Sequence, residues 1–189
     1  FANDGVAFAA SNKKISYGDD VSSYAVSGAL GFYSPGGATL TGTLNNAETA
    51  VTPRSSGFMG LGGDFDYFMD SDWSFGGFLR YYSTSDKLAN TEEKVSMVTA
   101  GGGTKVYVKT ENWQIYLGGG FGIISPSYSL AGSEYTMSMG FGFFMPLGIL
   151  YQMNDKIAFG LENMRAWGLG EKINGNPVND YMFKVRLAM

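Results

Sequence analysis

The sequence predicts an all-β fold, an eight-stranded antiparallel up-and-down β-barrel that crosses a membrane. Bulky apolar residues alternate with small or polar residues through most of the chain, and the apolar spacing of helices is rare. The connections between the predicted strands are alternately short and long, which is typical of such barrels. Charged residues make up 16% of the chain, below the roughly 25% of soluble domains, which favours a protein with little water-exposed surface.

Eight segments carry this alternation. Between Trp113 and Ile123 the odd positions are mostly bulky and apolar, whereas the even positions hold Gln114, Tyr116 and three glycines. The fourth segment has the weakest pattern because three glycines at 101–103 interrupt it. The predicted strands cover residues 21–33, 57–69, 73–84, 95–109, 113–125, 134–152, 157–167 and 178–189.

The connections predict how the chain is arranged across a membrane. Tight turns are expected near 70–72, 110–112 and 154–156, and longer polar loops at 34–56, 84–94, 126–133 and 168–177. An even number of strands places both termini at the short-turn end, which is periplasmic in outer-membrane barrels. The barrel therefore comprises residues 21–189. Residues 1–20 are expected to form an N-terminal tail, a lumen plug or an extra strand.

The composition of the two strand faces favours a membrane barrel over a soluble, lipocalin-like barrel. A face exposed to water would carry Lys, Glu, Thr and Gln, but here the polar face is mostly Gly, Ser and Ala. Small residues suit the interior of an eight-stranded barrel, and the apolar face suits hydrocarbon, where a closed barrel leaves no unpaired strand edge. Aromatic residues near the strand ends are expected to form interfacial girdles: Tyr67, Trp73, Tyr81, Trp113, Tyr151 and Trp167.

Charged residues on the inward face predict an ionic network in the lumen. In the last strand, Lys184 and Arg186 alternate with Phe183, Val185 and Leu187, so the two cations face inward. Buried charges are costly unless they are paired, so we expect one network of carboxylates and cations. Its expected members are Asp64, Asp66, Arg80, Glu162, Lys184 and Arg186. A structural role is favoured over a proton or ion path, because side chains fill a lumen of this size.

Two stretches resemble a known family. The segment from Pro146 to Gly170, PLGILYQMNDKIAFGLENMRAWGLG, resembles a late strand–turn–strand unit of the small outer-membrane barrel superfamily, the OmpA, OmpX, OmpW and opacity-protein group. The alternate apolar residues from Tyr181 to Met189 resemble the family's C-terminal assembly signal, although Met189 stands where that signal usually has an aromatic residue. The resemblance implies outer-membrane residence and insertion by the barrel-assembly machinery, but no particular activity.

Several functional classes are disfavoured by residue content. The chain has no His and no Cys, so the commonest general base, metal ligand and thiol nucleophile are missing. We therefore expect no enzyme, no cofactor and no metal site. The net charge of −4, without a basic cluster, argues against nucleic-acid binding. The expected partners are outer-membrane lipids, the assembly machinery, and an extracellular or envelope protein.

Three roles remain open. The first is envelope structure or surface interaction through the extracellular loops, with residues 34–56 as the main contact loop. The second, which the resemblance to OmpW suggests, is a conduit for small apolar molecules with a lateral opening near Pro146; a bulge or a strand end is the simpler interpretation of that proline. The third is a subunit of a larger assembly, suggested by a lipid-facing patch of small residues such as Gly101 and Gly103.

Overall fold

The predicted eight-stranded antiparallel barrel is confirmed by a computed structural model, which describes residues 23–34, 37–53, 58–88 and 91–189. The barrel strands are β1 (Ser23–Ser34), β4 (Phe58–Phe68), β5 (Trp73–Leu88), β6 (Thr91–Lys109), β7 (Trp113–Leu130), β9 (Gly140–Gln152), β10 (Ile157–Gly168) and β12 (Val178–Ala188). Four shorter strands lie in the connections: β2 (Thr39–Leu44), β3 (Ala47–Val51), β8 (Ser133–Met137) and β11 (Ile173–Asn174). The described residues include no helix that is long and apolar enough to cross a membrane.

The barrel closes because each barrel strand pairs antiparallel with two others. Neighbouring strands follow one another in chain order, and β12 pairs with β1 over ten residue pairs from Ala25–Ala188 to Ser34–Asn179. The tight turns lie together at what is here called the turn end, where Asn154 Oδ1 accepts hydrogen bonds from the amides of Lys156 and Ile157, both at 2.9 Å. The longer connections lie at the opposite, loop end. The predicted N-terminal segment 1–20 lies outside the described residues.

The two faces of the barrel strands differ as the alternation predicts. The outward side chains of Leu117, Phe141 and Val185 are 52%, 68% and 40% exposed, respectively. Glu162 and Lys184, on the inward face, are only 2% and 1% exposed. The outer surface is therefore apolar and the interior holds the charges, which is the reverse of a water-soluble barrel.

Two of the predicted loops are wrong, because β5, β6 and β7 continue beyond the apolar belt. β5 extends to Leu88 and β6 begins at Thr91, while β7 extends to Leu130 and β8 begins at Ser133. Most of 84–94 and most of 126–133 is therefore strand. The ladder continues here while the outward residues become polar: Ser83, Ser85, Ser96, Ser125 and Ser127. A turn with positive φ at Ala131 (51°) and Gly132 (80°) then leads into β8.

The predicted continuous strand 134–152 is also wrong, because it divides into β8 and β9. Both segments pair with β7, but their registers differ by one residue: Tyr128 faces Tyr135, whereas Ile124 faces Gly140. A one-residue shift moves every following side chain to the other face of the sheet. Tyr135 and Met137 therefore pack against the buried core and do not continue the outward row of Phe141.

The segment 37–53 forms an ordered sheet at the loop end. β2 and β3 form a hairpin whose turn residues, Asn45 and Asn46, have φ of 50° and 64°, a conformation that Asn tolerates. β2 also pairs with β8 through Gly42 and Thr43, and with the two-residue strand β11. The loop-end sheet, defined here as β2, β3, β8 and β11, is thereby hydrogen bonded to β7 of the barrel.

The barrel interior has two apolar clusters. One fills the loop-end half of the lumen and includes Leu40, Ile173 and Val178, so parts of the loop-end connections cap the barrel. The other lies near the turn end and includes Phe68 and Tyr107. Asp64, Arg80, Glu162 and Lys184 are buried between them.

Candidate functional site

The centre of the lumen holds a four-membered ring of alternating charges. Arg80 Nη2 lies 3.0 Å from Asp64 Oδ2 and 2.6 Å from Glu162 Oε1. Lys184 Nζ lies 2.9 Å from Asp64 Oδ2 and 2.8 Å from Glu162 Oε2. Each carboxylate thus contacts two cations, and each cation contacts two carboxylates. This is the arrangement that offsets the loss of hydration when charges are buried.

The ring ties opposite walls of the barrel together. Arg80 lies on β5 and Glu162 on β10, and three barrel strands separate these two in either direction around the barrel. Asp64 on β4 and Lys184 on β12 complete the ring, and the side chains of all four residues are at most 3% exposed. The ring therefore spans the lumen at this level.

Asp66 is held by a cation that was absent from the predicted network. Lys105 Nζ on β6 lies 2.9 Å from Asp66 Oδ1 and 3.8 Å from Asp64 Oδ1. Ser74 Oγ donates a longer hydrogen bond to Asp66, at 3.5 Å. Lys105 lies two residues before the buried Tyr107, so the two side chains are on the same, inward face of β6. The glycines before Lys105 obscure this alternation in the sequence.

Arg186 lies nearer the turn end than the ring. Its guanidinium donates a hydrogen bond to Gln114 Oε1 and lies 5.6 and 5.7 Å from the ring centroids of Phe68 and Tyr107. Lys109 approaches the same two rings, at 5.5 and 5.7 Å. Stacking on aromatic faces stabilises cations that have left bulk water.

Tyr116 is a further ring contact that sequence reasoning missed. Its hydroxyl donates a 2.5 Å hydrogen bond to Glu162 Oε2, and its ring lies 5.4 Å below Lys184 Nζ. Two glycines make room for these side chains: a Cβ at Gly62 would overlap Arg80, and a Cβ at Gly148 would overlap the Tyr116 ring. The inward parity of Tyr116 was visible in the sequence, but its contact with Glu162 depends on register across the lumen.

A further buried carboxylate, Asp180, lies within the apolar loop-end cluster. Asp180 Oδ2 accepts a 2.6 Å hydrogen bond from Tyr82, and Asp180 Oδ1 accepts one of 2.9 Å from the Met164 amide. The Tyr82 ring stacks on Tyr33, with centroids 4.5 Å apart, and Tyr33 donates to the Pro177 carbonyl. This polar group fixes the loop-end strand ends around the cap. Sequence reasoning did not include it.

Pro146 faces the lumen and interrupts one wall of the barrel. The ladder between β7 and β9 runs from Trp113–Tyr151 to Leu117–Leu147 and resumes at Gly120–Phe144. The break falls opposite Pro146, which has no amide hydrogen to donate. Next to it lies a cavity of about 20 Å³, bordered by Phe144 and by Asp66, with room for about one water molecule.

The predicted interfacial aromatics all lie on outward strand positions. Tyr67, Trp73, Trp113 and Tyr151 are near the turn end, where Trp113 packs edge-on against Tyr151 with centroids 5.0 Å apart. Tyr81 and Trp167 lie nearer the loop end, and Trp167 stacks on Phe143 at 6.1 Å. The two groups lie toward opposite ends of the apolar belt.

Gly101 and Gly103 do not face outward. They share the inward parity of Met97 and Thr99, and a Cβ at Gly101 would lie 2.7 Å from Cζ of Phe78. The expectation that they form a small-residue patch toward lipid is wrong, because the parity of β6 runs unbroken through its glycines.

The lumen arrangement fixes charges in place. The ring carboxylates accept hydrogen bonds from Arg80 and Lys184. These contacts hold the charged side chains in place, which is a structural role. Among the described residues, no group of three or more His, Cys, Asp or Glu side chains could hold a metal ion.

The barrel is closed and antiparallel, and its interior is filled and charged. Its outer belt is apolar, with aromatic residues toward both ends. Together these features define a transmembrane β-barrel. Solved structures with this fold include OprG, an outer membrane protein of Pseudomonas aeruginosa. It aligns with a TM-score of 0.62 at 14% identity, covering 91% of this chain and 98% of OprG. Neisserial surface protein A aligns with a TM-score of 0.59 at 13% identity, covering 89% and 99% of the two chains.

Ail, the attachment invasion locus protein of Yersinia pestis, has been solved in complex with the heparin analogue sucrose octasulfate. It aligns with a TM-score of 0.55 at 9% identity, covering 90% of this chain and 100% of Ail. No protein-family model matches the sequence, and no curated protein matches it. The shared feature is therefore the fold of small outer-membrane barrels, which does not carry a function with it.

Gly148→Ala should destabilise the barrel, because the added methyl group overlaps the rigid Tyr116 ring that contacts Glu162. We expect the free energy of unfolding to fall by about 1–3 kcal/mol, the usual range for overpacking. Urea unfolding of the protein in lipid vesicles measures this. Gly28→Ala is the matched control, since a Cβ there meets nothing within 4 Å. Equal losses in the two variants would contradict the assigned packing.

Proposed function

We propose that this chain is a non-enzymatic barrel of the bacterial outer membrane that presents its loop-end sheet as an interaction surface outside the cell. Support for the location comes from the apolar belt and from the fold shared with solved outer-membrane barrels. The alternating apolar residues of β12, the last strand, support insertion by the barrel-assembly machinery.

The turn end is assigned to the periplasm and the loop end to the exterior. Tight turns lie at one end of the barrel and longer ordered connections at the other, the asymmetry typical of outer-membrane barrels. Both ends of the described barrel, Ser23 and Ala188, then lie on the periplasmic side.

The order of the loop-end sheet is the observation that carries the interaction role. Its strands pair with each other and with β7, and Lys172 Nζ forms an exposed ion pair with Glu48 of β3 at 3.3 Å. A rigid scaffold that holds exposed segments in a defined shape favours binding, because little conformational entropy is lost. The partner class is an extracellular or envelope protein.

The interior supports a closed, non-catalytic barrel. The ionic ring spans the lumen and the apolar cluster with Leu40 and Ile173 covers its loop end. A structural role for the predicted lumen residues accounts for these contacts. The idea of a larger assembly loses its sequence support, because Gly101 and Gly103 face inward.

Single cysteines test this orientation, since the natural chain contains none. Ala47→Cys, at the start of β3, should react with a membrane-impermeant maleimide on intact cells. Asp155→Cys, in a tight turn at the other end, should react only after the outer membrane is permeabilised. The unsubstituted protein is the control for background labelling. Labelling of the Asp155 variant but not the Ala47 variant on intact cells would contradict the proposal.

A conduit for small apolar molecules is the second candidate, and the broken ladder at Pro146 favours it. The wall between β7 and β9 lacks pairing at that point, and the adjacent glycines leave little side-chain bulk. The neighbouring cavity, at about 20 Å³, is too small for a solute larger than water, so transport requires the wall to open.

Pro146→Val separates the two candidates. A valine amide can donate to β7 and close the gap, so a conduit should lose most of its uptake of a small apolar dye into proteoliposomes. The proposed closed barrel should show no uptake above protein-free liposomes, with or without the substitution. Uptake by the wild-type protein that the substitution abolishes would make the conduit the better account.

A further inference from the structure

The outward face of β10 departs from the apolar pattern of its neighbours. Ile157, Phe159 and Leu161 are followed on the same face by Asn163 and Arg165. Arg165 is exposed, and no ion pair links it to a carboxylate among the described residues. Lys94, another outward cation, is different because it pairs with Glu92 at 3.2 Å beyond the belt.

Arg165 lies in the loop-end part of the apolar outer surface. It is eight residues from Ile157 at the turn end of β10, which places it roughly 20 Å higher in a tilted strand. Trp167, two residues further on, stacks on Phe143 at the interfacial level. A long arginine side chain at this level reaches lipid headgroups while its stem stays in the apolar layer.

Two side-chain amides lie next to Arg165 in the sheet, Asn163 on the same strand and Asn179 on the neighbouring strand β12. Asn179 of β12 is the direct cross-strand partner of Arg165, and Asn163 Nδ2 donates a 3.0 Å hydrogen bond to Asn179 Oδ1. Asn163 also donates to the Asp180 carbonyl, which fixes its orientation. With Asn179 Oδ1 accepting from Asn163, the Asn179 amide nitrogen remains a donor on the same outward face as its cross-strand partner Arg165. An amide N–H and a guanidinium are both donors that suit a phosphate.

An apolar groove lies on the outer surface toward the turn end from these residues. It has a volume of about 550 Å³, and its lining includes Leu30, Leu161, Asn163, Tyr181 and Phe183. Asn163 therefore lines the groove and also belongs to the polar group that it forms with Arg165 and Asn179. An elongated apolar chain with a phosphate at one end matches both features.

We propose that Arg165 and Asn179 bind the phosphate of an acylated lipid of the outer leaflet, with an acyl chain in the groove past Leu161. This site rests on the outer-membrane residence proposed above and on the exterior position of the loop end. Lipid headgroup phosphates are recognised in this way by basic residues at the membrane surface. The site lies on the outer face of the barrel wall, away from the loop-end sheet.

Native mass spectrometry of the intact, detergent-solubilised protein with diphosphoryl lipid A tests the proposal. Arg165→Gln should weaken lipid binding about tenfold, the effect of losing one charge-assisted contact. Leu161→Trp should also weaken it, because the indole fills the groove without touching Arg165. Lys94→Gln is the matched control and should bind as the wild type does, since its charge lies outside the site.

Lipid A from which both phosphates have been removed should bind the wild-type protein at least as weakly as the intact lipid binds Arg165→Gln, because the contact with Asn179 is lost too. Wild-type affinity in Arg165→Gln, or an equal loss in Lys94→Gln, would overturn the proposal. Heat-dependent gel migration of each variant verifies that the barrel has folded. Because cysteine labelling tests cellular orientation separately, failure of this site is distinguishable from failure of the proposed function.

Discussion

The pairing of Glu162 inside a closed barrel is the constraint on which the rest of the interior depends. An ionised carboxylate removed from water is tolerated only when several donors surround it. Arg80, Lys184 and Tyr116 supply these donors from three other strands. Asp64 then balances the two cations, and the ring fixes how β4, β5, β10 and β12 face one another.

The glycine content follows from the same constraint. A lumen that must hold arginine, lysine and tyrosine side chains has no space for additional Cβ atoms beside them. Gly62 and Gly148 occupy the positions where a methyl group would overlap Arg80 and Tyr116. Outside the barrel, hydrocarbon requires bulky apolar groups, so the alternation of large and small residues reflects two different solvents on the two faces.

Parity along each strand was sufficient to predict the barrel and the inward direction of Asp64, Glu162 and Lys184. It could not reveal which residues meet across the lumen, because that depends on strand register and tilt. Tyr116 was predicted to face inward, but its hydrogen bond to Glu162 depends on the relative height of β7 and β10 across the lumen. Lys105 was missed because the glycines before it leave no alternation to follow.

The loop-end errors have a different origin. Beyond the membrane, a β-ladder no longer needs outward apolar residues, so the extension of β5 and β6 has no apolar signal in the sequence. The one-residue change of register between Tyr135 and Gly140 is not visible in the sequence, because bulky and small or polar residues alternate in both segments. Arg165, on the outward face, follows the apolar residues Ile157, Phe159 and Leu161 in the same alternation, so the sequence pattern did not single it out.

The free-energy coupling between Glu162 and Lys184 is the most direct measure of the central claim. In urea unfolding from lipid vesicles, Glu162→Gln should cost about 3–5 kcal/mol, because Arg80 and Lys184 would keep buried positive charge without its partner. Adding Lys184→Met should recover part of that loss, giving a coupling of at least about 1 kcal/mol in the double-mutant cycle. Glu48→Gln with Lys172→Met, at the exposed pair, should show far less. Additive losses at Glu162 and Lys184 would contradict a lumen held together by this ring.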